Sequence, residues 1–421
     1  MAARPQCIVI GAGLVGSSAA WHLQRSSAQV TLIDPVLPGQ STSYGNAGCL
    51  AVTSFCPSSY PGVLKKLPAW LNDPNGPMHI QWSQIATLMP WLWQFWRSGS
   101  QDRVEKIVAA EAQLMSVAIN DWDDILDQTE SSGLREKNGL ISLYGSEADL
   151  AADALQFHYR RLYEQESRRL SAAELRDLEP DIQLGEQGVA IYDPAWQHLL
   201  SPSAVCTAIA DSAFGMGADW IQNRITRLEA DEAGVNCVLS SGQVIKGDFA
   251  VLAAGVWTNE LLAQLDHKVP LMAKRGYHSK IKNPNVSLSH PLMYFNENIV
   301  MTPMSDGLCI TGIAEFAKVD TDPNYRLAKV PLHNAKRFLP GLGCEDGSED
   351  AEISEWMGQR PMLPDSLPIL GKLPHHERVI CAFGHGHYGV TQAPTTGRIV
   401  ADLVHGRDTH IDISAFSASR F

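Results

Sequence analysis

Hydrophobic and polar positions at the start of the chain follow the pattern of a β-strand, a glycine-rich turn, a helix and a second strand. The apolar run Gln6–Ile10 leads directly into Gly-Ala-Gly-Leu-Val-Gly at residues 11–16. Residues 17–24 continue as a predicted helix with small side chains on one side, and the apolar run 30–33 ends at Asp34. A G-x-G-x-x-G turn between a strand and a helix, with an acid after the next strand, predicts a dinucleotide-binding βαβ unit.

Each residue of this turn has a physical role in that interpretation. Gly11 makes the tight turn, Gly13 lets the backbone approach a pyrophosphate, and Gly16 lets the helix pack closely on the strand. The helix N-terminus faces the phosphate charge, and Asp34 accepts hydrogen bonds from ribose hydroxyls. The motif alone does not separate NAD from FAD. The predicted contacts are Gly11, Gly13, Leu14, Val15, Gly16 and Asp34.

A loop of small polar residues, 39–48, follows Asp34, where a third parallel strand would need an apolar run. Backbone N–H groups and hydroxyls in such a loop suit a flat polar ligand, and the alternative is a plain surface loop. The candidate contacts are Ser41, Thr42, Ser43, Gly45, Asn46, Ala47 and Gly48.

The middle of the chain carries three short predicted strands at residues 224–228, 235–240 and 242–246. A fourth apolar strand follows over 249–255. By itself it would be an ordinary buried strand, and its last three residues become candidate nucleotide contacts only through a resemblance to a known family. These candidates are Ala253, Ala254 and Gly255.

The C-terminal part repeats the order of strand, glycine loop and helix. Residues 379–383 form an apolar strand, residues 384–394 are Gly-His-Gly-His-Tyr-Gly-Val-Thr-Gln-Ala-Pro, and a helix is predicted over 395–404. A helix after such a loop directs free N–H donors and a partial positive charge at whatever lies above the loop. The candidate contacts are Gly384, His385, Gly386, His387, Gly389, Val390 and Thr391.

Composition narrows the class of protein. The chain has 421 residues and a formal net charge of −13, which argues against nucleic-acid binding and against a purely electrostatic hold on anionic lipid. Its eight cysteines form no C-x-x-C pair and no zinc-spaced cluster. We therefore expect reduced thiols, a cytoplasmic protein and no metal site.

Residues 80–96 contain no charged side chain but several tryptophans, namely Trp82, Trp91, Trp93 and Trp96. Apolar residues recur there with helical spacing, and Pro90 is predicted to break or restart the helix. The run is too short and too interrupted by polar residues to span a membrane. Two interpretations stay open: a core or dimer interface, or peripheral contact with the inner face of a membrane. In the second, headgroups meet Lys65, Lys66 and Arg97.

Residues 6–48, 248–280 and 356–405 together resemble the D-amino-acid dehydrogenase branch of the D-amino-acid oxidase and glycine oxidase superfamily. The resemblance implies FAD as the cofactor, with the loop after Asp34 running over the flavin, and oxidation of a D-amino acid. Related sarcosine oxidases attach flavin to a cysteine in the region of residues 357–364. This chain has no cysteine there, so non-covalent FAD is expected.

The expected fold class is α/β with α+β character, in which a discontinuous Rossmann-like FAD-binding domain is joined to an antiparallel-sheet substrate domain. Residues 345–355 are acidic and are expected to form a solvated connection. The predicted FAD domain comprises residues 1–60, 170–265 and 345–421, and the predicted substrate domain comprises 61–169 and 266–344, with 80–97 as the candidate membrane-interface segment.

Binding an α-carboxylate calls for a planar fork of donors, which arginine provides. Arg360 lies in an otherwise uncharged stretch and matches the position of the family's carboxylate-binding arginine, and the alternative is a buried ion pair with Asp365. Arg275 is a second candidate, and the alternative is that it is solvated at the strand end together with Lys274.

Four further side chains are candidates for the pocket. Strand alternation points Tyr277 and His278 to opposite faces, so at most one of them is expected to line it. Tyr44 is a candidate wall. His387, or His385 in the same loop, is a candidate donor or proton carrier. No catalytic base is assigned, because the substrate can react as its free amine.

The predicted function is FAD-dependent oxidative deamination of a D-amino acid, with hydride transfer from Cα to flavin N5 and electrons passed to a quinone or another carrier. One alternative is a dehydrogenase or O₂-using oxidase for a cyclic or secondary amino acid, of the D-proline, hydroxyproline or glycine/sarcosine type. Another is a dinucleotide-binding subunit without catalysis. No second buried arginine or carboxylate stands out as a reader of a substrate side chain, which favours a neutral or aliphatic substrate.

Overall fold

The computed structural model describes residues 4–63, 73–81, 84–343 and 352–421. Within these ranges the chain forms a six-stranded sheet that is mostly parallel, a nine-stranded sheet that is mostly antiparallel, and two three-stranded sheets. Lys65, Lys66 and Trp82 lie outside the described residues, as does most of the predicted acidic connection.

The six-stranded sheet, which we call the cofactor sheet, is built around the predicted βαβ unit. Its strands are β1 (Gln6–Ile10), β2 (Gln29–Asp34), β10 (Asp219–Gln222), β14 (Phe249–Leu252), β20 (Ile369–Leu373) and β21 (His376–Phe383). They lie in the order β10-β2-β1-β14-β21-β20, and each neighbouring pair is parallel except β20 with β21. Layers on both faces bury the strands, which explains why β1 reads as an apolar run rather than an alternating one.

Helices cover one face of the cofactor sheet and a small antiparallel sheet covers the other. Trp21, Trp122 and Ile209 fill the helical side, and Leu228 and Cys237 fill the opposite side. The helices are α1 (Leu14–Arg25), α3 (Gln101–Gln128), α7 (Pro202–Gly215) and α10 (Gly389–Val404), and the small sheet comprises β11 (Ile225–Ala230), β12 (Val235–Leu239) and β13 (Val244–Gly247).

The nine-stranded sheet, which we call the large sheet, holds the second core, where Ile141, Leu292 and Met301 are buried together. Its strands are β4 (Met78–Ile80), β6 (Leu140–Tyr144), β7 (Arg168–Leu170), β8 (Val189–Asp193), β15 (Met272–Ile281), β16 (Leu292–Tyr294), β17 (Ile299–Met304), β18 (Gly307–Phe316) and β19 (Ile353–Met362). The order is β19-β15-β18-β17-β16-β6-β8-β7, with β4 added on β18. Among the described strands of this large sheet, only β6–β16 and β4–β18 are parallel pairs.

The remaining elements connect these layers. The helix Arg326–Ala335 (α9) packs on β15 and β18. The other strands are β3 (Cys49–Leu50), β5 (Arg135–Glu136) and β9 (Gln197–Leu199), and the other helices are α2 (Ile85–Ser98), α4 (Glu147–Ala152), α5 (Ala154–Leu162), α6 (Ala172–Leu178), α8 (Thr258–Leu262) and α9 (Arg326–Ala335).

The predicted division into two domains remains a prediction, and strand pairing departs from it in two places. Strand β19 was assigned to the cofactor domain but pairs along its whole length with β15 of the large sheet. Strand β8 also joins the large sheet, through β6 and β7. A division by sheets would therefore move both strands to the substrate domain.

Two helices differ from their predicted limits because other groups compensate for a proline inside each. Helix α2 runs through Pro90, which has no N–H to donate to the carbonyl of Ala86. Both residues are exposed, so this carbonyl is open to water. Helix α10 begins at Gly389 instead of residue 395. Pro394 cannot donate to the carbonyl of Val390, but the indole N–H of Trp122 does so at 3.2 Å.

Helix α2 is apolar on both sides. Trp91 and Phe95 are buried and stacked with their ring centroids 5.2 Å apart, whereas Met89, Trp93 and Trp96 are each more than half exposed. The tryptophan-rich segment therefore packs partly in a core and partly faces outward. In the described ranges, no helix has the length and apolar content that crossing a membrane requires.

Buried polar contacts join α3 to α10. Gln392 donates from Nε2 to Glu111 Oε1 at 2.5 Å, and Thr395 donates from Oγ1 to Asp121 Oδ2 at 2.7 Å. Burial raises the pKa of Glu111 to about 8, so this carboxyl is mostly protonated in the folded protein at neutral pH.

We predict that Glu111→Gln removes part of the pH dependence of stability. Between pH 4.5 and pH 8 the folded protein keeps a proton on Glu111 that the unfolded chain has released, so the free energy of unfolding falls as pH rises. The variant keeps the acceptor for Gln392. It should match the wild type at pH 5 and exceed it by roughly 1–3 kcal/mol above pH 8. Thermal unfolding of the holoprotein over this range measures the difference.

The control is Glu105→Gln in the same helix, where the carboxylate is exposed and accepts from Gln101 at 3.1 Å. It should leave the pH profile unchanged. Parallel plots of stability against pH for the wild type and Glu111→Gln would contradict the raised pKa of Glu111.

Candidate active site

A cavity of about 330 Å³ opens where strands of the cofactor sheet end. Residues at or just beyond the carboxyl ends of β1, β2, β14 and β21 line it, namely Ile10, Ile33, Ala253 and Phe383. Ligands of open parallel sheets bind at this edge, so the cavity is the first candidate for a functional site.

The glycine turn after β1 forms one wall. Gly11 has a φ of +108°, and a Cβ on it would lie 2.4 Å from the carbonyl oxygen of Ala253. A Cβ on Gly16 would lie 1.8 Å from the carbonyl oxygen of Gly11. At Gly13 the nearest atom to an added Cβ is Ser43 Oγ at 3.2 Å, so a side chain there would fill the cavity instead of clashing with the fold.

The carboxylate of Asp34 is fixed at the cavity by backbone hydrogen bonds. Oδ2 accepts from the N–H of Ala12 at 2.8 Å, and Oδ1 accepts from the N–H of Val36 at 2.9 Å. Burial raises the pKa of Asp34, and these two hydrogen bonds oppose the rise. Each oxygen keeps a further lone pair, so the group can accept from ligand hydroxyls.

The polar loop after Asp34 is tied to helix α1 and to strand β19 of the large sheet. The N–H of Leu14 donates to Ser43 Oγ at 3.1 Å, and Thr42 Oγ1 donates to the carbonyl of Gln359 at 3.3 Å. Asn46 Oδ1 accepts from the N–H of Gly48 at 2.8 Å, which holds the turn. The loop is therefore part of the cavity wall.

The loop between β21 and α10 forms the opposite wall. Gly386 donates its N–H to the carbonyl of Pro361 at 2.9 Å, and His385 Nε2 lies 2.9 Å from Thr396 Oγ1. Burial lowers the pKa of His385 to about 3, so its imidazole is neutral. Gly389 and Val390 line the cavity, and so the N-terminus of α10 is directed at it.

Arg360, on β19, brings a positive charge from the large sheet to this cavity. Its guanidinium lies against Gly276, where a Cβ would approach Nη1 to 2.1 Å. Asp365, the predicted ion-pair partner, binds Arg420 instead at 2.7 Å. Within the described residues, neither a hydrogen-bond acceptor nor a carboxylate pairs with Arg360. Burial lowers its pKa to about 10, so it remains charged at neutral pH.

Most of the predicted cofactor contacts come together around the cavity. Those that line it are Gly11, Gly13, Leu14, Val15, Asp34, Ser41, Thr42, Ser43, Asn46, Ala253, Ala254, Gly255, Gly384, His385, Gly386, Gly389 and Val390. Those that do not line it are Gly16, Gly45, Ala47, Gly48, His387 and Thr391. Thr391, for example, accepts from the N–H of Ala51 at 3.0 Å and so helps to hold the fold.

The structure does not bring Arg275 or Tyr277 to the cavity. The guanidinium of Arg275 is fully buried, donates to the carbonyl of Lys318 at 2.6 Å and lies 3.5 Å from Glu315. The hydroxyl of Tyr277 donates to Glu315 at 2.7 Å. Both side chains lie on the face of β15 that turns away from the cavity, so we leave them out of the proposed site.

His278 and Tyr44 stand behind the polar loop. His278 Nδ1 lies 2.9 Å from the carbonyl oxygen of Gly45, and its ring stacks on Trp356 at 5.3 Å between centroids. Tyr44 is 41% exposed and lies 6.4 Å from Trp356. Neither side chain lines the cavity, so the predicted wall role of Tyr44 is not supported.

Sequence reasoning missed several residues that line the cavity. Gln359 precedes Arg360, and its Oε1 is buried with no hydrogen-bond partner among the described residues. At another part of the cavity, Arg224 lies 3.9 Å from Glu260. Asn223 and Trp257 could have been found, because they follow β10 and β14 at the sheet edge where ligands bind.

These features fit a dinucleotide. Two helix N-termini directed at one cavity suit a ligand with negative charge, and Asp34 suits hydroxyl groups. The space beside Gly13 is free for a ligand to approach the backbone. The fold and the site thus define a dinucleotide-binding protein with a second sheet over the ligand site.

The comparison with protein families names the class. The model of the FAD dependent oxidoreductase (DAO) family matches residues 6–403, so the chain belongs to this family. The predicted superfamily and its cofactor, non-covalently bound FAD, are confirmed. None of the cysteines in the described part of the chain lines the cavity.

Two curated relatives align over almost the whole chain. A D-amino-acid oxidase of Bradyrhizobium diazoefficiens is 33% identical over 416 residues, which cover 98% of each chain. A D-amino acid dehydrogenase of Paramagnetospirillum magneticum is 28% identical over 425 residues, again 98% of each chain.

Solved structures confirm the predicted fold class. Glycine oxidase from Geobacillus kaustophilus superposes with a TM-score of 0.74 at 21% identity and 99% coverage of both chains. L-proline dehydrogenase from P. horikoshii superposes with a TM-score of 0.73 at 18% identity, covering 100% of this chain and 98% of that one. At these identities the likeness concerns the fold.

We predict that Gly13→Val weakens FAD binding without unfolding the protein. The added side chain would occupy the space beside the turn, where only Ser43 Oγ is close. The expected loss is at least about 10-fold in FAD affinity, corresponding to roughly 1.4 kcal/mol. Flavin content and FAD titration of the apoprotein measure it. Gly133→Val, at a site with no atom within 4 Å of an added Cβ, is the control. Equal FAD affinity in the two variants would contradict this site.

Proposed function

We propose that the chain is an enzyme that oxidises a D-amino acid to the imino acid, with electrons passed to a quinone or another carrier. The observation that carries the proposal is Arg360, a guanidinium at the cofactor cavity without an acidic partner in the described chain. Leaving a charge unpaired in a half-buried position is costly, which favours a site that takes an anionic ligand. The names of the curated relatives support an amino acid as that ligand.

FAD held by the glycine turn, Asp34 and the polar loop would supply the hydride acceptor for oxidation of the substrate at Cα. Arg360 binds the α-carboxylate by two parallel hydrogen bonds, which fix where Cα lies. The guanidinium lies flat against Gly276, where an added Cβ would be 2.1 to 2.3 Å from Nη1, Cζ and Nη2, so the orientation of its plane is set before the substrate binds.

The N-terminus of α10 would stabilise the cofactor in its reduced form. Its N–H donors and positive dipole end stabilise the negative charge that develops at the cavity. Trp122 fixes this end of the helix by donating to the carbonyls of Val390 and Thr391, at 3.2 and 3.1 Å.

No catalytic base is required of the chain. His385 is neutral and bound to Thr396, and the positive charge of Lys274, burial and then Arg360 lower the pKa of His387 well below its ordinary value. A positive environment also favours loss of the substrate's ammonium proton, so the amino acid reacts as the free amine.

We predict that Arg360→Met abolishes efficient flavin reduction. Loss of a carboxylate partner in a half-buried site costs on the order of 2–4 kcal/mol, or roughly 30- to 900-fold in kcat/KM. The measurement is anaerobic flavin bleaching by D-amino acids, their L-enantiomers, glycine, sarcosine and hydroxyproline isomers. Arg407→Met is the control, since Arg407 is half-exposed and pairs with Asp402.

Bleaching by a D-amino acid but not its L-form supports the proposal, and re-oxidation by quinone or by air then identifies the acceptor. Bleaching chiefly by D-proline, hydroxyproline or sarcosine would move the assignment to a cyclic or secondary amino acid. A flavin that no amino acid bleaches would contradict enzymatic amino-acid oxidation.

Peripheral contact with the inner face of the cytoplasmic membrane is part of the proposal. It is supported by Met89, Trp93 and Trp96, which recur at helical spacing on α2 and are each more than half exposed. Arg97 lies over the Trp93 ring at 4.6 Å, where it could meet a lipid headgroup.

We predict that Trp93→Gln/Trp96→Gln lowers binding to bilayer vesicles by at least about 10-fold, because each exposed indole contributes on the order of 1 kcal/mol or more at the interface. Sedimentation with vesicles that contain anionic lipid measures the bound fraction. Met216→Gln, at an exposed methionine far along the chain, is the control. An unchanged bound fraction in the double variant would rule out this contact.

A further inference from the structure

Lys274 places a second positive charge beside Arg360. The two residues are direct cross-strand partners in the pairing of β15 with β19. Like charges at opposed positions destabilise a sheet, so this pair needs a compensating interaction.

Among the described residues, no acid compensates Lys274. It forms no ion pair and no hydrogen bond there, and the same holds for Arg360. The nearest cation along the strand, Arg275, donates to the backbone carbonyl of Lys318 and lies 3.5 Å from Glu315. Burial, and then the charge of Arg360, lower the pKa of Lys274 to about 7. An anion bound between Lys274 and Arg360 would offset their mutual repulsion and raise the pKa of Lys274 again.

The two cations line a small, partly open compartment of about 10 Å³, which has room for one water-sized group such as a single carboxylate oxygen. Hydroxyl and imidazole groups complete its wall. The named lining residues are Ser58, Lys274, Arg360, Ser366, His387 and Tyr388. The pKa of Tyr388 is raised, chiefly by burial, and the pKa of His387 is lowered, so both are neutral at physiological pH. Every titratable group that faces Lys274 there is therefore neutral or positive.

The compartment adjoins the cofactor cavity. Arg360 and Gly386 line both spaces. A substrate held by its α-carboxylate at Arg360 could thus direct its side chain to Lys274.

We propose that Lys274 and this compartment bind a second carboxylate, so that the substrate is an acidic D-amino acid of the aspartate or glutamate type. The inference rests on the proposed function, since it assigns the side chain of that same substrate. Lys274 is then a specificity residue. An acidic substrate thus takes the place of the neutral or aliphatic substrate that the sequence favours.

The test compares isosteric acids and amides. We expect D-aspartate and D-glutamate to reduce the flavin of the holoenzyme at least about 30-fold more efficiently than D-asparagine and D-glutamine, because the amides lack the charge that Lys274 would pair. Lys274→Met should collapse this ratio, chiefly by lowering the rates with the two acids. Lys274→Arg should restore part of the ratio.

Lys282→Met, at an exposed lysine that pairs with Glu352, is the matched control and should leave the ratio unchanged. In the wild type, the preference for acids should fall as pH rises through about 7, since Lys274 loses its proton there, and kcat/KM reports this pKa of the free enzyme. The amide rates should not follow that profile.

A second measurement does not depend on any variant. Glutarate should perturb the flavin spectrum of the wild-type holoenzyme at a concentration at least about 10-fold lower than butyrate does, because the second carboxylate would reach Lys274.

Three outcomes would overturn the proposal. Equal reduction by acids and amides would remove the side-chain subsite while leaving the proposed function intact. Equal losses for both substrate types in Lys274→Met would assign Lys274 to the α-carboxylate instead. Reduction by no D-amino acid would contradict the proposed function, and this inference with it.

Discussion

The pairing of β15 with β19 sets the position of the charge on which the site depends. It places Arg360 over Gly276, where only a residue without a Cβ leaves room for the guanidinium, and it sets Lys274 opposite Arg360. In the described chain no acid neutralises either cation. Two strands of the large sheet thus hold positive charge at the edge of the cofactor cavity, and the free energy that this costs is recovered when an anion binds.

The cofactor sheet supplies the other half of the site by a different means. Its helices α1 and α10 direct their N-termini at the same cavity, and α3 fixes α10 through Trp122 and the buried contacts of Glu111. The loop that contains Thr42 links the two sheets, since its hydroxyl bonds the β19 backbone beside Arg360. Cofactor and substrate groups are therefore positioned by one connected set of contacts.

The parts of the fold that depend on local pattern could be predicted from the sequence. The strand, turn and helix around Gly11 and Gly13, and the acid Asp34, are such parts, because each role follows from spacing within one βαβ unit. Arg275 and Lys274 show the limit. They are neighbours on a strand, so their side chains point to opposite faces of the sheet. Which of the two faces the cavity depends on how β15 pairs with β19, a segment about eighty residues away in the sequence. The start of α10 could not be predicted either, because Trp122 compensates for Pro394 from another helix.

In this account, Arg360 binds the α-carboxylate of the substrate at the cofactor cavity. The most direct test is a titration of the oxidised holoenzyme with benzoate and with its neutral analogue benzamide, followed by flavin absorbance. Benzoate has a carboxylate but no hydrogen on the adjacent carbon, so it binds without being oxidised. We expect benzoate to perturb the spectrum of the wild type and Arg407→Met, to lose at least about 30-fold in affinity with Arg360→Met, and to bind far more tightly than benzamide. Equal binding of benzoate and benzamide, or equal affinity for benzoate with and without Arg360, would contradict the account.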